Sequence, residues 1–208
     1  IEGIETITQE DIAFARELGY VIKLLGIINT TDGDALDVRV HPAMLHADHI
    51  LASVSDVYNA VYLRGDAVGN ILLYGKGAGE MPTASAVVAD IIDCARDIVS
   101  GAPQRISMDF YAADRTVPLL SIGDISTRYY LRFSVVDKPG VLAGITTAFG
   151  KHEISIASIV QKEGRSDDHV PVILLTHQAH EKQLRGALAE IDTMEFVRDR
   201  TQVIRIEE

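Results

Sequence analysis

Three short stretches of this chain combine residue types that do chemistry with spacings that bring them together. Gly75-Lys76-Gly77-Ala78-Gly79 lies between a segment that reads as a strand and one that reads as a helix. A helix start there would aim free N–H groups and a positive dipole end at an anionic or polar ligand. The spacing is G-x-G-x-G, with Glu80 next, not the G-x-G-x-x-G of a dinucleotide turn, and the preceding strand belongs to a hairpin. A plain flexible turn is the other reading. The second stretch is Val136-Asp137-Lys138-Pro139-Gly140-Val141-Leu142, where a strand ends and a helix begins at once. Its N–H groups suit a carboxylate and Asp137 suits an ammonium, which together describe a zwitterion site. The bland alternative has Asp137 capping the helix and Gly140 relieving packing. The third stretch, His41, His46, Asp48 and His49, offers three nitrogens for zinc. These residues straddle Pro42 without a recognised ligand spacing, so no metal site is expected.

The other reactive side chains read as structural. Cys94, the single cysteine, sits among apolar residues with no histidine near it in sequence, and is expected to be a buried thiol. Ser85 has no partner base in its helix. Tyr58, Tyr62 and Tyr74 fall at strand spacing and read as sheet packing, and Asp167-Asp168 as a solvated hairpin tip.

The 208 residues suffice for one large domain or two small ones, and 47% hydrophobic with 24% charged is ordinary globular composition. A net charge of -11, with no run of Lys or Arg, argues against a nucleic-acid role, which needs a basic stripe. One cysteine cannot form an internal disulfide, which fits a reducing cytoplasm. No apolar run approaches the roughly 20 residues of a membrane span, and no signal-peptide layout is present. The chain opens Ile1-Glu2-Gly3, so it is expected to be trimmed or to start inside a longer protein.

The elements that must position these residues are legible as patterns. Thr8 and Asp11 form a capping box for a helix running to Leu18, closed by Gly19. Residues 20–28 read as a buried strand, Asp32-Gly33-Asp34 as a turn, and residues 36–40 as a return strand ended by Pro42. Residues 57–63 and 68–74 make a hairpin around Arg64-Gly65-Asp66. A long helix follows from about Pro82 to Gly101, its Ala84, Val87, Val88, Ile91, Ile92, Ala95 and Ile98 forming a face expected to be buried. Residues 101–127 read as a partly ordered linker with a boundary near Thr127. From Arg128 the order is strand 130–136, helix from Pro139, strands 154–162 and 170–175 joined by a loop at 164–169, a helix bearing Leu184, Ala187, Leu188 and Ile191, and strand 197–206. That string, βαββαβ, is a ferredoxin-like split βαβ unit.

Two resemblances follow from these motifs. The βαββαβ order with Asp137-Lys138-Pro139-Gly140-Val141-Leu142 at its first strand–helix junction resembles an ACT domain over residues 128–208. Gly3-Ile4-Glu5-Thr6-Ile7-Thr8, then Leu18 to Gly26, then Val40-His41-Pro42, then Gly77-Ala78-Gly79-Glu80-Met81-Pro82-Thr83 are similar, in that order, to homoserine dehydrogenase. The resemblance implies an α+β chain: residues 1–105 part of a catalytic and dimerisation domain with a mixed or antiparallel sheet, 106–127 a linker, 128–208 the ACT domain.

It implies further that the parent enzyme interconverts L-homoserine and L-aspartate 4-semialdehyde with NADP or NAD, within threonine and methionine biosynthesis. Gly77, Ala78 and Gly79 would face the cofactor, with Glu80, Pro82 and Thr83 beside them. An amino-acid effector, threonine by family analogy, would meet Asp137, Pro139, Gly140, Val141, Leu142 and the second strand's Ile154, Ser155 and Ile156. Here Glu153-Ile154-Ser155-Ile156 stands where many ACT domains have Gly-Ile-Asn-Ile. The Rossmann domain and the proton-transfer lysine would lie upstream of Ile1, so this part alone is expected to be inactive. ACT units pair to bind amino acids between them, so at least a homodimer is expected. The rival reading is a non-catalytic amino-acid-binding regulator.

Overall fold

Along the chain the elements are α1 (Gln9–Glu17), β1 (Tyr20–Thr30), β2 (Leu36–His46), β3 (Tyr58–Gly65), β4 (Gly69–Lys76), α2 (Glu80–Ser100), β5 (Ser126–Val135), α3 (Val141–Lys151), β6 (Ile156–Gln161), β7 (Val170–Thr176), β8 (Ala179–His180), α4 (Glu181–Ile191) and β9 (Val197–Glu207). The structure, a computed structural model, describes residues 1–31, 35–101, 117–161 and 169–208. The turn at 32–34, the stretch 106–116 of the linker, and Asp167 with Asp168 lie outside the described residues. The chain divides into two units by compactness. Residues 1–47 join 117–208 in one, and 48–116 form the other.

In the first unit the ferredoxin-like order β5-α3-β6-β7-α4-β9 is present, with its strands side by side as β9-β5-β7-β6. Alternation along β5 explains both layers of the core. Tyr129, Leu131, Phe133 and Val135 point to one face and pack with Ile145, Ala148 and Phe149 of α3 and with Leu184, Ala187, Leu188 and Ile191 of α4. Tyr130 points to the other face, where it meets Ile173, Leu175, Ile204 and Ile206, together with Phe14 and Ala15 of α1. A helix from the start of the chain thus covers the back of the C-terminal sheet. Its start is fixed as the sequence reads: Thr8 N–H donates to Asp11 Oδ2 at 3.0 Å and Asp11 N–H to Thr8 Oγ1 at 3.2 Å, and both bonds relieve orphan donors.

The sheet also extends into residues 1–47. Strand β2 lies parallel to β9, with Ala43 opposite Arg205, Met44 opposite Ile206 and Leu45 opposite Glu207, and β1 pairs antiparallel outside it. A division of the chain by sequence order at residue 128 therefore differs from the division by compactness. Pro42 does not end β2, contrary to the sequence reading: the strand runs to His46, with Pro42 opposite Leu24. The β9 ladder begins only at Ala43, so at Pro42 no ladder bond to β9 goes unmade. Proline is tolerated where one edge is open.

Polar side chains reinforce the same joint. Arg132 Nε on β5 donates to Asp11 Oδ1 at 2.6 Å, Arg205 Nη1 on β9 to Glu2 Oε2 at 2.8 Å, and Arg39 Nη1 on β2 to Glu207 Oε1 at 2.6 Å. Arg205 also reaches Glu181 Oε1 at 2.7 Å, and the Tyr129 hydroxyl donates to Glu181 Oε2 at 3.0 Å. On β2 the usual sense of burial is inverted: Asp37, Arg39 and His41 are buried while Val38 and Val40 are exposed.

In the second unit β3 and β4 form a two-stranded hairpin, Tyr58 opposite Lys76 through Gly65 opposite Gly69. The Tyr58 and Tyr74 rings stack at 4.8 Å, and Tyr62 meets His49 edge-on at 5.7 Å. Helix α2 ends at Gly101 in the left-handed conformation, as its sequence requires. Two expectations fail here. The α2 stripe is not a buried face, since no residue of α2 is buried and Ile91 is 62% exposed. Cys94 on the same helix is exposed as well. One hairpin and one helix are too few elements to close a core over that stripe.

Candidate functional site

The glycine loop sits where β4 hands over to α2. Gly77 and Ala78 both donate their N–H groups to the Val57 carbonyl, at 2.9 and 3.2 Å, which folds the loop back on the start of β3. Gly79 is the N-cap of α2 with φ of +117°, a conformation that side-chain-bearing residues rarely adopt, and no side chain caps the helix. The first N–H groups of α2 therefore face outward beside Glu80, the first helical residue. Pro82 falls in this first turn, where its missing donor is no loss, and Thr83 N–H closes on Gly79 O at 3.1 Å. Asn59, across the ladder from Gly75, lies against Gly77: a Cβ built on Gly77 would overlap the Asn59 side-chain nitrogen. The sequence gives no signal for Asn59, since cross-strand neighbours carry no fixed spacing.

The second candidate lies at one end of the seven-stranded sheet. Asp137 caps no helix, so that alternative fails: the N-cap of α3 is Gly140, at φ of +94° and without a side-chain bond. Glycine is required at that position. Asp137 instead accepts from Gln161 Nε2 at 3.3 Å, a partner at the far end of β6 that sequence reasoning missed. Asp137, Pro139 and Gly140 are exposed, Leu142 half-buried and Val141 buried.

Ile154, Ser155 and Ile156 are not gathered with them. They stand at the start of β6, opposite Thr176, whereas Gln161 closes the strand beside Asp137. A strand rises about 3.3 Å per residue, so the two halves of the set are roughly 17 Å apart within one chain. Glu153, immediately before them, has φ of +58° just past the α3 C-cap His152, which explains why glycine commonly stands there.

Other groups are already paired within the protein. A cavity of about 310 Å³ in the first unit is lined by Asp37, Arg39, Arg128 and Glu207 among others. Arg39 holds Asp37 and Glu207, and Arg128 lies 3.5 Å from Glu208. The Arg205 guanidinium holds the Glu2 carboxyl below the usual carboxylate range. Burial alone would raise Asp11, yet the bonds from Arg132 and Thr8 win and lower it. Burial lowers His41, whose Nδ1 sits 2.9 Å from Pro42 O. His46 packs edge-on against Tyr20, and Leu51 N–H donates to His49 Nδ1 at 3.2 Å. Among the described residues no group of three or more His, Cys, Asp or Glu is placed to hold a metal ion. Among the described residues, no helix is long and apolar enough to cross a membrane.

Comparison with known proteins finds relatives along the whole chain. The homoserine dehydrogenase family model matches residues 1–92 and the ACT domain model residues 129–193. A homoserine dehydrogenase of Synechocystis is 40% identical, aligned with 99% of this chain and 48% of its own length. Its counterpart from Pseudomonas aeruginosa is also 40% identical, over 100% and 48%. The crystal structure of a homoserine dehydrogenase from Thiobacillus denitrificans superposes with a TM-score of 0.85 at 41% identity, covering 99% of this chain and 47% of that one. The chain thus spans about half the length of the curated relatives it matches.

Proposed function

We propose that this chain, whose residues 1–92 match the homoserine dehydrogenase family and residues 129–193 an ACT domain, serves NAD(P)-dependent interconversion of L-homoserine and L-aspartate 4-semialdehyde under amino-acid control. The observation that carries the catalytic half is the uncapped, glycine-started helix α2 with its loop pinned to Val57. Gly77, Ala78 and Gly79 approach the cofactor, NADP or NAD, closely because two of them lack a Cβ. Glu80, Pro82 and Thr83 form the adjoining first turn, which favours the negative charge of a phosphate or carboxylate.

The chain's own residues bind and orient here. The cofactor, when bound, supplies the hydride. By themselves the 208 residues give no turnover, because the glycine loop of the described structure joins an antiparallel hairpin to a helix. That is not the parallel βαβ unit that holds a dinucleotide.

The regulatory half rests on the free start of α3 beside Asp137. There the N–H groups take the effector's carboxylate and Asp137 its ammonium, with threonine as the effector. Since Ile154, Ser155 and Ile156 stand at the other end of β6 in the same chain, they act on an effector held by a second copy. The reading takes the protein as a homo-oligomer, at least a dimer, in the reducing cytoplasm that a single cysteine fits, and its sensing is allosteric only if threonine binds one state of the enzyme better than another.

Two measurements test the reading. NADPH oxidation driven by aspartate 4-semialdehyde is expected from the complete enzyme and not from these 208 residues. Turnover by the 208 residues alone would overturn this account of where binding and chemistry are divided. Threonine should give saturable heat in calorimetry, lost in Gly140→Val. Heat without turnover in the complete polypeptide would favour the non-catalytic regulator instead.

A further inference from the structure

The cavity in the first unit has a buried acidic floor and an exposed polar rim. Its volume of about 310 Å³ lies at the lower end of small-molecule pockets, which run from about 300 Å³ upward. On the floor Asp37 and Arg39 are only 6% and 7% exposed, and Arg39 is shared between two carboxylates. Its Nε–H donates to Asp37 Oδ2 at 3.0 Å, and its Nη1 and Nη2 donate to Glu207 Oε1 and Oε2 at 2.6 and 3.4 Å. Asp37 Oδ1 stands 2.9 Å from the same Nε, but that nitrogen carries one hydrogen, directed at Oδ2. Oδ1 is therefore buried with no hydrogen bond among the described residues. Two carboxylates around one guanidinium leave a negative charge over, and a buried charge is costly unless it is paired and bonded.

At the rim the loosely held group is a cation. Arg128 is half-buried and its two contacts are long: Nε to Thr176 O at 3.4 Å, and Nη1 to the exposed Glu208 Oε1 at 3.5 Å. A surface pair of that kind contributes little and gives way to another carboxylate. Ser126 and Gln178 line the same wall, exposed, and their side chains make no hydrogen bond among the described residues.

We propose that this cavity binds a small hydroxyl-bearing amino acid, with its ammonium on Asp37 Oδ1, its carboxylate on Arg128 and its hydroxyl between Ser126 and Gln178. An ammonium brings to the floor both the N–H donor and the positive charge that are lacking there, which no neutral or anionic group does. A carboxylate matches the fork of a guanidinium at the rim. The residues that form this site belong to one unit of the chain, and none lies in the glycine loop or at the start of α3. It is a second amino-acid site, and it stands whether or not those two are read correctly.

The test is an NMR titration of the isotope-labelled 208-residue chain with L-threonine and with L-homoserine. Backbone amide signals of Asp37, Ser126 and Arg128 are expected to shift saturably, and to do so equally in Gly140→Val, which disables the start of α3. Arg128→Gln, at a half-exposed position, should weaken binding at least about tenfold, the loss of one charge-assisted contact. Asp37→Asn should weaken it similarly, and Arg128→Gln decides the matter if Asp37→Asn does not fold. Isopropanolamine, which is threonine without its carboxylate, should bind the unsubstituted chain and Arg128→Gln equally. Absence of saturable shifts at the cavity signals with both amino acids would overturn the proposal. Shifts that vanish in Gly140→Val would assign all binding to α3 and overturn it as well. Unchanged affinity in Arg128→Gln would do the same.

Discussion

Helices α2 and α3 begin alike and are treated in opposite ways by the rest of the protein. Each starts at a glycine with positive φ, and each lacks a side-chain cap. Yet α3 buries Val141, Ile145, Ala148 and Phe149 against a sheet, while none of the 21 residues of α2 is buried. An apolar stripe at helical spacing is a demand for cover, and it does not say where the cover comes from. The β5-β6-β7-β9 sheet supplies it for α3 within the chain. For α2 the exposed Val87, Ile91 and Ile98 are the kind of surface that a subunit interface closes.

The comparison breaks most directly by truncation. Phe149→Ala should cost about 3–5 kcal/mol by chemical denaturation of the 208-residue chain, since it empties a packed site between α3 and β5. Ile91→Ala on α2 should stay within about 0.5 kcal/mol in the same assay. Equal losses at both positions would mean that α2 is covered in the isolated chain after all.

Acid sharpens the contrast next, because the shifted carboxyls lie in the first unit. Glu2 and Asp11 have folded pKa values below their unfolded ones, so their contribution is complete above about pH 4 and is lost as pH falls through the folded values. His41 is also lowered, and the unfolded chain takes up its proton first, so stability begins to decline below about pH 6.5. Melting followed by tyrosine signals from pH 8 to pH 3 should therefore show two declines. In His41→Gln the upper decline should vanish. A profile flat from pH 7 to pH 5 in the unsubstituted chain would contradict the assignment.

The last expected effect is a gain. Glu153 holds φ of +58° after α3, a strained position for a residue with a Cβ. Glu153→Gly should stabilise by about 0.5–1 kcal/mol, offset in part by the freer unfolded chain. A lower melting temperature would show that Glu153 makes a compensating contact.

The sequence was most informative where structure is local. The Thr8–Asp11 box, the Gly101 stop and the βαββαβ order all depend on residues a few places apart, and each is present. Long-range pairing was not legible. Nothing near Ala43 signals that it lies beside Arg205, since parallel strands leave no turn to announce them. Nor did alternation on β2 predict which face is covered: Asp37, Arg39 and His41 go inside because Arg39 bonds both Asp37 and Glu207 there and His41 Nδ1 lies against the carbonyl of Pro42. At the candidate sites, glycine announced the two helix starts through backbone geometry. Asn59 and Gln161 stayed hidden because their meaning is set by what lies across a strand.

The parallel joint between β2 and β9 also has a meaning in time. During synthesis Ala43 emerges long before Arg205, and at roughly 5–20 residues per second the interval is on the order of ten seconds or more. Through that interval β2 has only β1 beside it, and the apolar side of α1, with Phe14, has no sheet to rest on. The last strand to be made is the one that β2 and β5 both need, so the first unit cannot close from its beginning. Its assembly waits on its end.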